Sequence, residues 1–177
     1  MAPEPHERRV TTFSAESSAA LSAEIVALLT ARRQTIAVAE SLTGGLLVAE
    51  LTRTPGASAV VVGGVVAYST ELKHTLLGVN AEVLASHGPV HPDVAAQMAA
   101  GVRDILAVAG EPAYIGISTT GVAGPEPQGG RAVGTVFLGF AIGLEVRTKG
   151  LALTGTRDEI RAQVVGEALN ELRALLG

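Results

Sequence analysis

Apolar residues recur at helical spacing from about Ser18 to Arg33, through Leu21, Ile25, Leu28 and Leu29, and predict a first helix. Arg32 and Arg33 at its end suit the negative pole of the helix dipole. The short apolar run Thr35 to Ala39 then reads as a strand, and Gly44 to about Thr52 as the helix after it. Thr54-Pro-Gly-Ala-Ser58 is a turn signal. Ala59 to Ala67 is the most hydrophobic stretch, rich in β-branched residues and interrupted by Gly63-Gly64, and predicts a buried strand with a bulge or bend. Thr70 is placed to cap a short helix closed by Gly78, and Asn80 to Ser86 reads as another. His87 to Pro92 reads as an extended connection. Asp93 to Ala109 is helical by its spacing of Val94, Met98, Val102 and Ile105. Ala113 to Thr119 is a further strand, followed by the loop Thr120-Gly-Val-Ala-Gly-Pro125 and a polar stretch to Arg131. Two strands, about Ala132 to Ala141 and Glu145 to Leu153, meet at Ile142-Gly-Leu144 as a hairpin. A last helix, Arg157 to Leu176, follows the cap Thr154-Gly-Thr156.

Strands alternating with helices, then a hairpin and a closing helix, argue for a three-layer α/β/α sandwich on a mixed, mostly parallel sheet. The hairpin makes one strand run against its neighbours. One domain is expected over 15–177, preceded by a loose tail over 1–14. No internal repeat is present.

Composition refines this picture. Apolar residues are 47% and aromatics only 3%, so the core is built from Ala, Val and Leu. Together with 21 glycines this suits helices packed closely on a sheet. A net charge of −4 gives no global basic footprint for nucleic acid, while leaving room for a local cationic pocket. The chain has no cysteine, which rules out disulfides, thiolate metal sites and a cysteine nucleophile. No apolar run suits a membrane span or a signal peptide, so a cytoplasmic protein without a membrane partner is expected.

The candidate chemistry lies at two strand ends. Ala39-Glu-Ser-Leu-Thr-Gly-Gly45 presents the hydroxyls of Ser41 and Thr43, with Gly44 and Gly45, where a helix dipole could hold an anion. Thr120 to Gly124 is a similar turn, and in open α/β sheets ligands bind beyond the carboxyl ends of strands, so the two turns point to one crevice. Ser41 is a candidate nucleophile or simply a cap. Lys73 is a candidate base if its pKa is lowered, or a solvated helix residue. Tyr68 is either at the sheet's edge beside Lys73 or a core residue with a wet hydroxyl. Glu40 could bind ligand hydroxyls, orient the turn or serve a helix terminus. Backbone N–H groups of Gly121 to Gly124 suit a phosphate or an oxyanion. Arg157 could pair with a phosphate bidentately, or form a surface ion pair. His74, His87 and His91 show no metal spacing.

Taken together, these blocks resemble one family. Ala39-Glu-Ser-Leu-Thr-Gly-Gly45 is similar to its Ala-Glu-Ser-Cys-Thr-Gly-Gly signature, and Tyr68-Ser-Thr-Glu-Leu-Lys73 with Leu77-Gly-Val79 to its Tyr-Ser-Asn-x-x-Lys … Leu-Gly-Val block. Thr120 to Pro125, Val133-Gly-Thr135 and Gly155-Thr-Arg157 with Arg161 match in the same order. The family is that of the CinA C-terminal domain, which contains nicotinamide mononucleotide deamidases, and the resemblance spans about Ser18 to Leu176.

It implies a five-stranded mixed sheet with one antiparallel strand, and commonly a homodimer or higher homo-oligomer. The implied reaction is hydrolysis of the carboxamide of nicotinamide mononucleotide to nicotinate mononucleotide and ammonia, part of pyridine nucleotide salvage, without a metal or other cofactor. By motif, Ser41 is the nucleophile, with Lys73 and Tyr68 handling its proton. Ser58, Thr120, Gly121, Ala123, Gly124 and Arg157 hold the substrate, beside Glu40, Thr43 and Gly44 of the first turn. Longer relatives carry an additional N-terminal domain, and the resemblance is to the stand-alone form. Leu42 replaces the family's cysteine, Ala57 precedes Ser58 where a serine pair is common, Thr70 replaces an asparagine, and Gln97 stands where glutamate is frequent. A non-catalytic nucleotide-binding or partner-binding module that retains the pocket is the alternative.

Overall fold

The computed structural model describes residues 15–177, so the expected tail over 1–14 lies outside the described residues. Six helices and five strands follow in the order α1 (Ala15–Arg32), β1 (Ile36–Glu40), α2 (Leu46–Thr52), β2 (Val61–Val66), α3 (Thr70–Thr75), α4 (Ala81–His87), α5 (Pro92–Ile105), β3 (Ile115–Gly121), β4 (Thr135–Ile142), β5 (Glu145–Ala152) and α6 (Arg157–Leu176). The strands form one sheet in the order β2-β1-β3-β4-β5. β1 pairs in parallel with β2 and β3, and β4 runs antiparallel to both β3 and β5. One strand therefore opposes the rest, as the hairpin signal implied. Among the described residues no helix is long and apolar enough to cross a membrane.

The sheet is covered on both faces, and strand periodicity sorts its residues between two cores. Ile36, Val38, Ile115 and Ile117 pack with Ile25, Leu29, Leu47, Ile160 and Leu169 of α1, α2 and α6. Ala37 and Ala39 turn to the other face, against Met98 and Val102 of α5 and Leu77 and Val79 beyond α3. This second face explains the small-residue composition. A Cβ at Gly116 would overlap the carbonyl oxygen of Ala99, and one at Gly139 that of Ala95. The α5 backbone thus lies directly on β3 and β4, and Ser118 Oγ donates to the Ala95 carbonyl at 2.6 Å.

Three local expectations change. The hydrophobic run before Ala67 is an edge strand, not a buried one: β2 pairs only with β1, and Val66 is 43% exposed. The anticipated irregularity is present as a register shift opposite Ile36 and Ala37. Ser69, not Thr70, takes the N-cap position of α3. The helix over 93–109 stops at Ile105, because Ala109 and Gly110 adopt positive φ and Val108 bridges back to Glu111. The end of the chain follows the pattern closely. Thr156 and Glu159 form a capping box at the start of α6.

Gly116→Ala is expected to lower stability by about 3 kcal/mol, since helix or strand must shift to admit one methyl group. Chemical denaturation checks this, and a midpoint equal to wild type would show that α5 and β3 are not in such contact.

Candidate active site

β1 ends in a fully buried carboxylate, and its first residue beyond is the serine. Alternation along the strand sends the two side chains to opposite faces of the sheet. Glu40 points toward α2, where its carboxylate accepts the backbone N–H groups of Gly45 at 2.9 Å, Leu47 at 3.1 Å and Val48 at 2.9 Å. These are the unpaired donors of a helix N-terminus, so the site expected to bind an external anion is already filled by the protein's own carboxylate. Thr43 is also fully buried, with its hydroxyl 2.7 Å from that of Thr119. Glu40, Thr43 and Gly44 shape the turn and do not line the cavity.

Ser41 faces the other way. Its backbone N–H donates to the Thr119 carbonyl at 3.0 Å, which ties the turn to β3. Its Oγ lies 2.8 Å from Nζ of Lys73. Lys73 is not a solvated helix residue: it is 1% exposed, and its second contact is the Ala67 carbonyl at 3.0 Å. The ammonium form is poorly solvated there, and burial lowers its pKa from 10.5 to about 8. About a tenth of the amine is thereby neutral at pH 7, and about half at pH 8, beside a hydroxyl.

Ser41 and Lys73 share a cavity of about 130 Å³ with Tyr68, Thr120, Gly121, Ala123, Gly124 and Arg157. Thr120 donates its hydroxyl to the Pro89 carbonyl at 2.7 Å, which fixes the connection between α4 and α5 as one wall. Among the described residues, the backbone N–H groups of Ala123 and Gly124 have no acceptor within the chain. Arg157 donates to the Gly124 carbonyl at 2.6 Å and to the Tyr68 hydroxyl at 2.9 Å. Tyr68 is 60% exposed rather than a core residue, and its hydroxyl meets Arg157, not Ser41 or Lys73. A larger depression of about 690 Å³, lined by Tyr114, Ile142, Leu144 and Leu175, opens at the other end of the sheet. Its lining among the described residues holds no nucleophile–base pair, so chemistry rather than size distinguishes the two.

Ser58 stands apart from this group. It lies in the 3-10 turn Ala57–Ala59 that leads into β2, at the opposite end of the sheet from Ser41. The rise of about 3.3 Å per residue along the intervening strand separates them by roughly 15 Å. Ser58 is therefore not brought to the cavity of Ser41 and Lys73. Conversely, Thr70, Glu126 and Gln128 line the cavity without having been assigned to it. The signal for the last two was the polar, proline-rich loop directly after Gly124. Of the replaced family positions, Thr70 and the buried Leu42 border the cavity, and Gln97 accepts the backbone N–H of Asn80 at 2.7 Å. Among the described residues no three His, Asp or Glu side chains are placed to hold a metal.

The family model of the CinA C-terminal domain matches residues 18–176. A CinA-like protein of Frankia casuarinae is 46% identical over 156 residues, which are 88% of this chain and 35% of that protein. The chain spans about a third of the length of the curated relatives it matches. A CinA superfamily protein from Enterobacter cloacae superposes with a TM-score of 0.86 at 29% identity, covering 100% of this chain and 99% of that one. The competence/damage inducible protein of Agrobacterium tumefaciens gives a TM-score of 0.83 at 32% identity, covering 99% of both.

Burial of Lys73 carries a stability signature. The folded state binds this proton less tightly than the unfolded chain, so the lysine destabilises the fold by a constant amount below about pH 8. Between about pH 8 and 10.5 the unfolded chain retains the extra proton, and stability rises with pH. Relative to a Lys73→Met reference, denaturant unfolding is expected to show wild type gaining about 3 kcal/mol across that window. A flat difference would show that Lys73 keeps its ordinary basicity.

Proposed function

The chain belongs to the CinA C-terminal domain family, and from that premise and the Ser41–Lys73 pair we propose that it hydrolyses the carboxamide of nicotinamide mononucleotide. The observation that carries the reading is the 2.8 Å contact between Ser41 Oγ and a buried lysine whose pKa is lowered to about 8. A serine hydroxyl is a weak nucleophile until a neighbouring base takes its proton. Neutral Lys73 has a lone pair at Nζ within reach of that proton.

In the proposed reaction Oγ attacks the amide carbon while Nζ accepts the hydroxyl proton. Negative charge develops on the former carbonyl oxygen, and the free N–H groups of Ala123 and Gly124 are donors of the kind that stabilise it. Lys73 then gives its proton to the departing nitrogen, which leaves as ammonia, and an ester to Ser41 remains. Water attacks the ester as Lys73 takes one of its protons. The carbon–Oγ bond breaks, the proton returns to Oγ, and a carboxylic acid is released, which loses its proton to water. The balance is one amide and one water to one carboxylic acid and one ammonia.

Arg157 supplies the anion-binding group. Its remaining N–H donors have no acceptor among the described residues, and it holds Tyr68 and Gly124 at the rim of the same cavity. A phosphate there would receive charge-assisted hydrogen bonds without displacing Glu40 from α2. The Tyr68 hydroxyl, engaged by Arg157, fits this end of the substrate better than the Ser41 proton.

Purified chain is expected to release ammonia from nicotinamide mononucleotide, and Ser41→Ala and Lys73→Ala each to reduce the rate by about 10³-fold or more. Ligand binding without turnover, in wild type as in Lys73→Ala, would instead mark a nucleotide-binding module. The pH dependence is a second check. Because the base is the neutral amine, kcat/KM is expected to rise with pH and level off above about 8. A rate that falls across this interval would exclude Lys73 as the base.

A further inference from the structure

Arg161 lies one helical turn beyond Arg157 on α6, yet it does not line the cavity. Its guanidinium instead reaches the turn after Ser41. Nε donates to the Leu42 carbonyl and Nη2 to the Thr43 carbonyl, both at 3.0 Å. The Nη1 contact, to exposed Asp158 at 3.4 Å, lies on the solvent side. The two carbonyls belong to the residues directly after the serine. Among the described residues Leu42 has no other donor to its carbonyl oxygen. Gly44 follows with φ of +61°, and a Cβ there would sit 3.3 Å from Nη2, so the turn leaves room for the guanidinium.

The turn is thus held at three places by three different elements. Glu40 of β1 fixes the N–H groups that open α2, Thr119 of β3 holds the Ser41 N–H, and Arg161 of α6 holds the two carbonyls. A planar fork that spans adjacent carbonyls fixes their relative orientation, which a single ammonium cannot do. We propose that Arg161 is a positioning residue, whose guanidinium fixes the turn that aims Ser41 Oγ at Lys73 Nζ. Because Arg157 lies on the same first turns of α6, that helix ties the substrate's anion site to the placement of the nucleophile.

This inference rests on reading Ser41 as the nucleophile, and its test separates the two. Arg161→Lys keeps the charge and length but cannot span both carbonyls. It is expected to melt within a few degrees of wild type and to retain KM for nicotinamide mononucleotide within about threefold. Its kcat is expected to fall 10- to 100-fold, the scale of a small misplacement of reacting groups. A second readout needs no substrate. With an alkyl fluorophosphonate, Oγ forms a bond to phosphorus, fluoride leaves and Lys73 takes the hydroxyl proton. The added mass is read on the intact chain, with Ser41→Ala as the blank. Labelling at least tenfold slower in Arg161→Lys is expected, and labelling at the wild-type rate overturns the proposal. Should the lysine variant melt well below wild type, Arg161→Gln, which keeps one amide donor, carries the same comparison with the same two outcomes. Wild type that takes the label but releases no ammonia overturns the substrate reading and leaves the comparison of variants intact. Wild type that takes no label overturns both.

Discussion

A lysine ammonium is among the least favourable groups to remove from water, and this fold removes one almost completely. Among the described residues Lys73 is held by two acceptors, the Ala67 carbonyl just past β2 and the Ser41 hydroxyl just past β1. Both arise because β1 and β2 are parallel neighbours, so their carboxyl ends lie side by side. The short helix α3 could not by itself fix a side chain so deep. It is anchored by Leu77 and Val79, which enter the core against α5 immediately after it. The arrangement destabilises the charged amine and brings its neutral form into the range where a base is useful. Stability and proposed chemistry therefore pull in opposite directions at one residue, as is common where an ionisable group is buried for a purpose.

The other half of the site follows from strand alternation. Glu40 and Ser41 are adjacent, so they emerge on opposite faces of the sheet, and the same dipeptide builds on one face what it exposes on the other. The carboxylate completes α2 from within the core, while the hydroxyl enters the cavity. An anionic ligand could use the α2 N-terminus only by displacing three hydrogen bonds to a fully buried carboxylate. The exposed cation at the cavity is instead that of Arg157, the first residue of α6, which extends to the Gly124 loop and Tyr68. The dipole that suggested a ligand site at the opening turn is real, but its ligand is internal.

Much of the fold was legible because local signals agreed with one another. α6 is bounded as its cap and apolar stripe require, and the β4–β5 hairpin turns at Gly143 as the pattern implied. The β2 sequence reads as buried because hydrophobicity reports a strand's composition and not its place in the sheet; an edge is decided by which strands pair, a long-range property. The same limit applied to the site. Glu40, Thr43 and Gly44 are close to Ser41 in sequence, yet alternation turns Glu40 to the opposite face and the turn buries Thr43 against Thr119. Lys73 is 32 residues from Ser41, and no spacing rule connects them. The residue types make them a candidate nucleophile and a candidate base, and it is mainly the family resemblance that joins the two. Ser58 illustrates the converse: its motif position was clear, but the parallel connection carries it to the far end of the sheet.

Two arginines on α6 show how a helix can serve a site without contributing a reacting group. Arg157 and Arg161 are four residues apart and so share a helix face. One points to the cavity rim and the other to the turn behind the serine. The helix itself is fixed by its buried stripe of Ile160, Val164, Leu169 and Leu172 against α1 and the sheet, and by a capping box at its first turn. Its N-terminal turn cannot drift without carrying both guanidinium groups along. Rigid packing on the face formed by α1, α2 and α6 therefore sets the geometry on the cavity side, although no reacting atom lies in that core. The turn after the serine is held by hydrogen bonds from three elements, and the two from Arg161 are placed by the packing of α6.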